Sequence, residues 1–250
     1  MKIIVEPRYE EVSKSAARII AREIISKTDP VLGLPTGDTP KRTYELLVEY
    51  YRDGLVDFSS VTTFNLDEYY PISKDDPKSF ARYMEDRLFT QVNLARDSIN
   101  FPDSTIAENE IEQYCEKYER KISEAGGIDL LILGIGQNGH IGFNEPGVNF
   151  GTRTRLVDLR KETLEANFEN PAEAPKRALT MGIKSIMRAR KLLLLANGKR
   201  KSTPIKKSLT GPITTDWPAS VLQLHPDLTV ILDEDASREL EDQRGGSAGN

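Results

Sequence analysis

The residues able to do chemistry gather where apolar runs stop. Leu130–Leu133 is an aliphatic run that passes straight into Gly134, Gly136 and Gly139, and then into His140, one of two histidines in the chain. Asn138 stands just before that histidine and Glu145 shortly after it. Glycines at a strand end let the backbone approach a ligand and take a positive φ. An imidazole is the side chain best suited to moving protons near neutral pH. A second run, Val31–Leu34, ends in Pro35-Thr36-Gly37-Asp38-Thr39-Pro40. With Thr39 as N-cap and Pro40 opening a helix, this turn offers amides and hydroxyls to an anion. It lacks the lysine spacing of a nucleotide P-loop, so a single phosphate suits it better than a triphosphate. The plainer alternative is that Thr39 only caps its helix, and Asp38 opposes a phosphate unless it points away. A third run, Val61–Asn65, leads to Leu66, Asp67 and Glu68. These adjacent carboxylates either supply a general base or cap and solvate a loop.

Gly134, Gly136 and Gly139 also fit the G-x-G-x-x-G dinucleotide pattern, with Asp158 about 20 residues downstream. A fingerprint of that kind must open a long helix. Here Gly142, Pro146 and Gly147 follow too soon for one, and the motif lies midway along the chain rather than on a first strand. The sequence context speaks against nucleotide binding.

These sites need a scaffold, and the hydrophobic pattern describes it. Strands are predicted at Lys2–Val5, Val31–Leu34, Val61–Asn65, Ile99–Phe101, Leu130–Leu133, Lys191–Ala196 and Leu228–Leu232. Amphipathic helices are predicted between them at Glu11–Ser26, Pro40–Tyr51, Ser79–Val92 and Glu108–Glu124. In the first, Val12, Ala16, Ile19, Ile20 and Ile24 share one face. Alternating strands and helices predict an α/β fold with right-handed crossovers and a largely parallel sheet covered on both faces. Ligands of such sheets sit at the strands' carboxyl ends, which is where all three candidate segments lie. No internal repeat or Pro/Gly/Ser-rich linker divides the chain, so one catalytic domain is expected over 1–236. The charged and then glycine-containing stretch 237–250 is expected to fray.

Composition narrows the function classes. A net charge of −5 gives no basic footprint for nucleic acid. The apolar runs are too short to span a bilayer, and charges from Glu6 onward leave no secretion signal. Cys115 is the single cysteine, so an intramolecular disulfide and a thiolate metal site are both excluded. A cytoplasmic enzyme is the expectation, while monomer and homo-oligomer remain equally open.

The segments VLGLPTGDTP, TTFNLDEYY, GIGQNGHIGFNEPG, TRTR, ALTMGI and VLQLHP resemble, in order, those of the glucosamine-6-phosphate deaminase family. The resemblance runs from the first strand to about Glu234. It implies a single α/β domain with a modified doubly wound sheet. It also implies conversion of glucosamine 6-phosphate and water to fructose 6-phosphate and ammonium, with no metal and no cofactor. By the same resemblance, Asp67 shuttles a proton between substrate C2 and C1. His140, with Asn138 and Glu145, opens the sugar ring, and Thr36, Gly37, Asp38, Thr39 and Lys201 bind phosphate. His225, although matched, reads as structural. Two departures stand out. Where relatives present an arginine to phosphate, this chain has Phe168-Glu169 after Ala166-Asn167, leaving Lys201, Lys176 or Arg177 as cations. Where a regulated subgroup carries a basic pair, this chain has Arg155 and Val157, so activation by an acetylated sugar phosphate is not expected. Three alternatives remain: a 6-phosphogluconolactonase of the same superfamily, which has no use for Asp67; an isomerase of another amino sugar phosphate; and a non-catalytic sugar-phosphate sensor, which could dispense with Asp67 or His140.

Overall fold

The computed structural model describes residues 1–160, 163–164 and 174–245. Its main sheet has seven strands: β1 (Lys2–Glu6), β2 (Val31–Leu34), β3 (Thr62–Asn65), β5 (Ile99–Asn100), β6 (Leu130–Leu133), β9 (Lys191–Ala196) and β10 (Leu228–Asp233). All pairs are parallel, in the order β1-β10-β9-β6-β2-β3-β5. These are the seven strands predicted from the hydrophobic pattern, with ends moved by a residue or two. The central strands are apolar at almost every position because both sheet faces are covered. Leu32, Leu34, Leu130 and Ile132 enter the core beneath α1 (Tyr9–Ser26) and α2 (Asp38–Arg52). Val31, Leu131 and Leu133 enter the opposite core, which also takes Tyr118 of α4 (Ile111–Glu124). Gly33 permits the close approach of β2 and β6, since a Cβ there would lie 2.6 Å from Leu131 Cδ1.

A second, three-stranded antiparallel sheet was not anticipated. It joins β4 (Asp67–Tyr70), β8 (Arg177–Thr180) and β7 (Arg155–Asp158), with Asp67 opposite Thr180 and Arg155 on the other side of that threonine. Asp67 and Glu68 therefore begin a strand rather than sit in a loop. Leu66 alone separates β3 from β4, and its amide bonds to Leu34 O of β2. The chain thus changes sheets within one residue.

Three other local expectations change. The predicted helix Ser79–Val92 begins as α3 (Phe80–Met84) and widens into a π-helical turn, Glu85–Phe89. At α2 the N-cap is Gly37, at φ 106°, rather than Thr39. Thr39 and Pro40 lie inside the first turn, where a missing amide costs no hydrogen bond. Finally, a terminal helix spans Glu234–Gly245 and crosses the expected boundary at 236. Ala236 and Ser237 are fully buried, and Asp233 Oδ1 accepts from Ala236 N at 2.8 Å at the start of this helix. The helix takes in residues 237–245 of the stretch expected to fray.

Candidate active site

Four strands adjacent in the sheet, β9-β6-β2-β3, deliver the candidate residues. Because they run parallel, their carboxyl ends share one edge, where a cavity of about 580 Å³ opens. Its wall includes Thr36, Gly37, Asp38 and Thr39 after β2, Asp67 beyond β3, and Gly134, Gly136 and His140 after β6. Tyr69 of the small sheet, Lys78 and Phe80 in the segment after it, and Phe143 beyond β6 line the cavity as well.

The turn after β2 is held from three sides. Tyr44 OH donates to Pro35 O at 2.6 Å, Asn65 Nδ2 to Leu34 O at 3.1 Å, and Tyr83 OH to Gly37 O at 2.7 Å. Its positive-φ glycine opens α2, whose first amides have no helical partner. That geometry suits an anion, although Asp38 brings its own negative charge to the wall.

The two adjacent carboxylates divide their duties. Glu68 is 1% exposed and wholly engaged. It accepts from Tyr69 N, Phe80 N and Ala81 N, each at 2.9 Å, and from Ser79 Oγ at 3.1 Å. Asp67 is 8% exposed, lines the cavity, and makes no hydrogen bond among the described residues. Burial, followed by the neighbouring Glu68 charge, pushes its pKa up to about 7. Of the readings left open by sequence, loop anchoring belongs to Glu68. The properties of a base, an available carboxylate poised near neutrality, belong to Asp67.

The histidine loop closes on itself, with Gly136 N donating to His140 O at 2.9 Å and Gly139 N to Gly136 O at 3.1 Å. No helix follows Gly139, so the dinucleotide fingerprint lacks its structural context. Asn138 Nδ2 donates to Glu145 Oε2 at 2.7 Å, and the facing Asn138 Oδ1 meets His140 Nδ1 at 2.7 Å. An ionised Glu145 can only accept, so the amide orientation follows, and with it a His140 tautomer protonated at Nδ1. Nε2 is left with its lone pair. Burial opposes ionisation of Glu145, but hydrogen bonds and charge from His140, with Thr163 and Asn138, hold its pKa at about 2. Its Oε1 lies 3.5 Å from Nδ1. The negative charge that Asn138 lacks is therefore supplied by Glu145 directly.

Two glycines in this loop are required by contact. A Cβ on Gly136 would sit 2.2 Å from His140 Cε1. One on Gly139, at φ 81°, would meet the Trp217 ring at 2.6 Å. Trp217 donates to Ser208 Oγ at 2.8 Å and braces the loop from outside.

The remaining candidates separate. Lys201 is not among the wall residues, yet its ammonium donates to the wall carbonyl of Ile135 at 2.6 Å. Arg177 pairs with Glu108 at 2.6 Å and lies over the Tyr70 ring, away from the cavity. His225 is buried, with Nε2 2.9 Å from Ala189 O, as a structural histidine would be. Phe168-Glu169 lies outside the described residues. Sequence reasoning missed Lys78, the anchoring role of Glu68, and Trp217. Only Trp217, as the sole tryptophan, carried any signal. Among the described residues no group of three or more His, Cys, Asp or Glu side chains is placed to hold a metal ion.

The family described as "Glucosamine-6-phosphate isomerases/6-phosphogluconolactonase" matches residues 7–231. A glucosamine-6-phosphate deaminase of Clostridium botulinum (strain Kyoto / Type A2) is 50% identical over 243 residues, covering 96% of this chain and 99% of that protein. One from Thermoanaerobacter pseudethanolicus is 48% identical, covering 97% and 96%. Among solved structures, a monomeric glucosamine-6-phosphate deaminase superposes with a TM-score of 0.92 at 43% identity, covering 96% of this chain and 100% of that one. A 6-phosphogluconolactonase from Trypanosoma cruzi gives 0.75 at 22% identity, covering 96% of each chain, a likeness of fold alone.

Proposed function

This chain belongs to the family of glucosamine-6-phosphate isomerases and 6-phosphogluconolactonases, and from that premise we propose that it is a glucosamine-6-phosphate deaminase. It takes glucosamine 6-phosphate and water to fructose 6-phosphate and ammonium. The observation that carries the choice within the family is Asp67, a buried carboxylate open to the cavity with a pKa near 7. A lactonase can use the turn and His140, but lactone hydrolysis gives Asp67 no proton to move between carbons.

The phosphate rests on Thr36, Gly37, Asp38 and Thr39, with the backbone amides of the turn facing it. Lys201 lends charge through the Ile135 wall, where one of its three N–H groups is engaged. His140 Nε2 removes the proton of the C1 hydroxyl and returns one to the ring oxygen, opening the pyranose. The imidazolium formed on the way keeps both N–H groups, and Glu145 beside Nδ1 stabilises its charge through Asn138 and directly. Asp67 then takes the C2 proton of the open-chain aminoaldehyde, giving an enolamine, and delivers a proton to C1. The product is the 2-imine of fructose 6-phosphate. Water adds to that imine and ammonium departs, which balances the reaction without an oxidant or a metal.

The direct test is product analysis. Incubation with glucosamine 6-phosphate is expected to give ammonium and fructose 6-phosphate in equal amounts. Preferential hydrolysis of 6-phosphogluconolactone, with no ammonium, would reassign the chain to the other branch of its family.

A further inference from the structure

The cavity has one feature that strand periodicity does not mark out. Among its described wall residues Lys78 is the single lysine or arginine. It shares that wall with the whole turn Thr36–Thr39. We propose that Lys78 is a second phosphate-gripping residue, sharing the cavity wall with the α2 N-terminus and deciding affinity for the anionic end of the substrate. The inference rests on the deaminase reading for the identity of the substrate, and on the wall geometry for the rest.

The chain holds Lys78 in place through its neighbours. The next residue, Ser79, caps α3 by accepting from Arg82 N at 3.1 Å, and donates its hydroxyl to Glu68 at 3.1 Å. Phe80 N and Ala81 N bond to the same carboxylate. Glu68 follows Asp67 directly, so the segment bearing Lys78 is tied to the strand that bears the base. At the other end of α3, Tyr83 OH donates to Gly37 O at 2.7 Å, tying the same segment to the phosphate turn. Lys78 N donates to Asp76 Oδ1 at 2.8 Å and Ser79 N to Asp76 O at 2.9 Å, which closes the preceding loop. A short lysine-bearing strap is thus pinned at both the base and the turn.

Charge makes such a residue necessary. A sugar phosphate brings close to two negative charges at neutral pH, and Asp38 on the turn adds another. The amides of α2 contribute only about half a positive charge. Neither Lys201 nor Arg177 is among the cavity's described wall residues. Lysine is suited to the remaining role as a flexible point charge that follows a phosphate from binding to release.

The test uses the full chain with Lys78→Ala, Lys78→Arg and, as a control on the same loop but outside the wall, Lys74→Ala. Two quantities are read: the KM for glucosamine 6-phosphate by ammonium release, and the dissociation constant of inorganic phosphate by calorimetry. Loss of one charge-assisted contact predicts a roughly tenfold to hundredfold rise of both in Lys78→Ala, with a much smaller change in kcat. Substantial recovery is expected in Lys78→Arg and no change in Lys74→Ala. Values for Lys78→Ala within twofold of the parent would overturn the proposal, as would equal losses in the Lys74→Ala control. The calorimetric arm needs no turnover. Absence of ammonium from the parent chain would therefore count against the deaminase reading, while the phosphate constants would still decide the role of Lys78.

Discussion

At the scale of single residues, the site works by giving like groups unlike surroundings. Asp67 and Glu68 are adjacent carboxylates, yet one is saturated with donors and the other has none among the described residues. The motif showed that a carboxylate stands at a strand end. It did not show which of the two is available, because that depends on where the amides of residues 80 and 81 arrive. The raised pKa of Asp67 carries a pH prediction. A base must be ionised to act, so kcat/KM is expected to fall as pH drops through about 7. Burial is the larger cause of that pKa and the Glu68 charge the smaller. Glu68→Gln is therefore expected to move the acid limb to lower pH without abolishing it, as read from a pH series of kcat/KM. A limb that stays in place would show that burial alone sets the pKa.

At the scale of elements, the histidine loop shows how far a local pattern can be read. Its glycines were evident, but their purposes were not. Gly136 makes room for the imidazole, while Gly139 makes room for Trp217, which arrives from a segment far along the chain. The two substitutions to alanine should therefore differ. Gly136→Ala has no backbone strain to overcome, so it is expected to melt near the parent temperature with turnover reduced because the imidazole is displaced. Gly139→Ala adds a strained positive φ to a clash with the indole, and is expected to lose on the order of 1–3 kcal/mol. Thermal melts followed by Trp217 fluorescence separate the cases. Equal destabilisation of both variants would contradict the distinct contacts. The small sheet was illegible for a related reason. Its strands are four residues long, and β4 reads DEYY and β7 RLVD, neither with the apolar alternation of a strand. They are ordered by pairing with β8 rather than by their own pattern.

At the scale of the whole molecule, the seven-stranded sheet was legible because every strand buried on both faces announces itself as an aliphatic run. The gathering of β9, β6, β2 and β3 into neighbours is a matter of topology, and only that adjacency brings residues 36–39, 67 and 140 to one cavity. Regulation belongs to this scale too. Val157 on β7 packs against the cluster of Tyr69, Ile72 and Phe143, and Arg155 Nη1 is turned onto Asn144 Oδ1 at 3.0 Å. Neither presents a basic pair to a second anion. A ligand that does not bind two states differently cannot shift their balance. Saturation with glucosamine 6-phosphate is therefore expected to be hyperbolic and unaltered by N-acetylglucosamine 6-phosphate. Sigmoidal kinetics relieved by the acetylated sugar would contradict this.

Asp67, buried and without a hydrogen-bond partner among the described residues, is also a burden on the fold. Its folded pKa of about 7 exceeds the ordinary 3.8. Between these values the folded state binds more protons than the unfolded one, so its contribution to stability is lost as pH rises through about 7. One variant joins the two consequences of that placement. For Asp67→Asn at pH 8, ammonium release from glucosamine 6-phosphate should be compared with that of the parent, alongside the melting temperature of each. Turnover is expected to fall by roughly 10²–10⁴ while the melting temperature rises, because a catalytic charge has been removed from a site that is costly to ionise. Near-parental ammonium release from a folded Asp67→Asn would contradict the assignment of Asp67 as the proton shuttle.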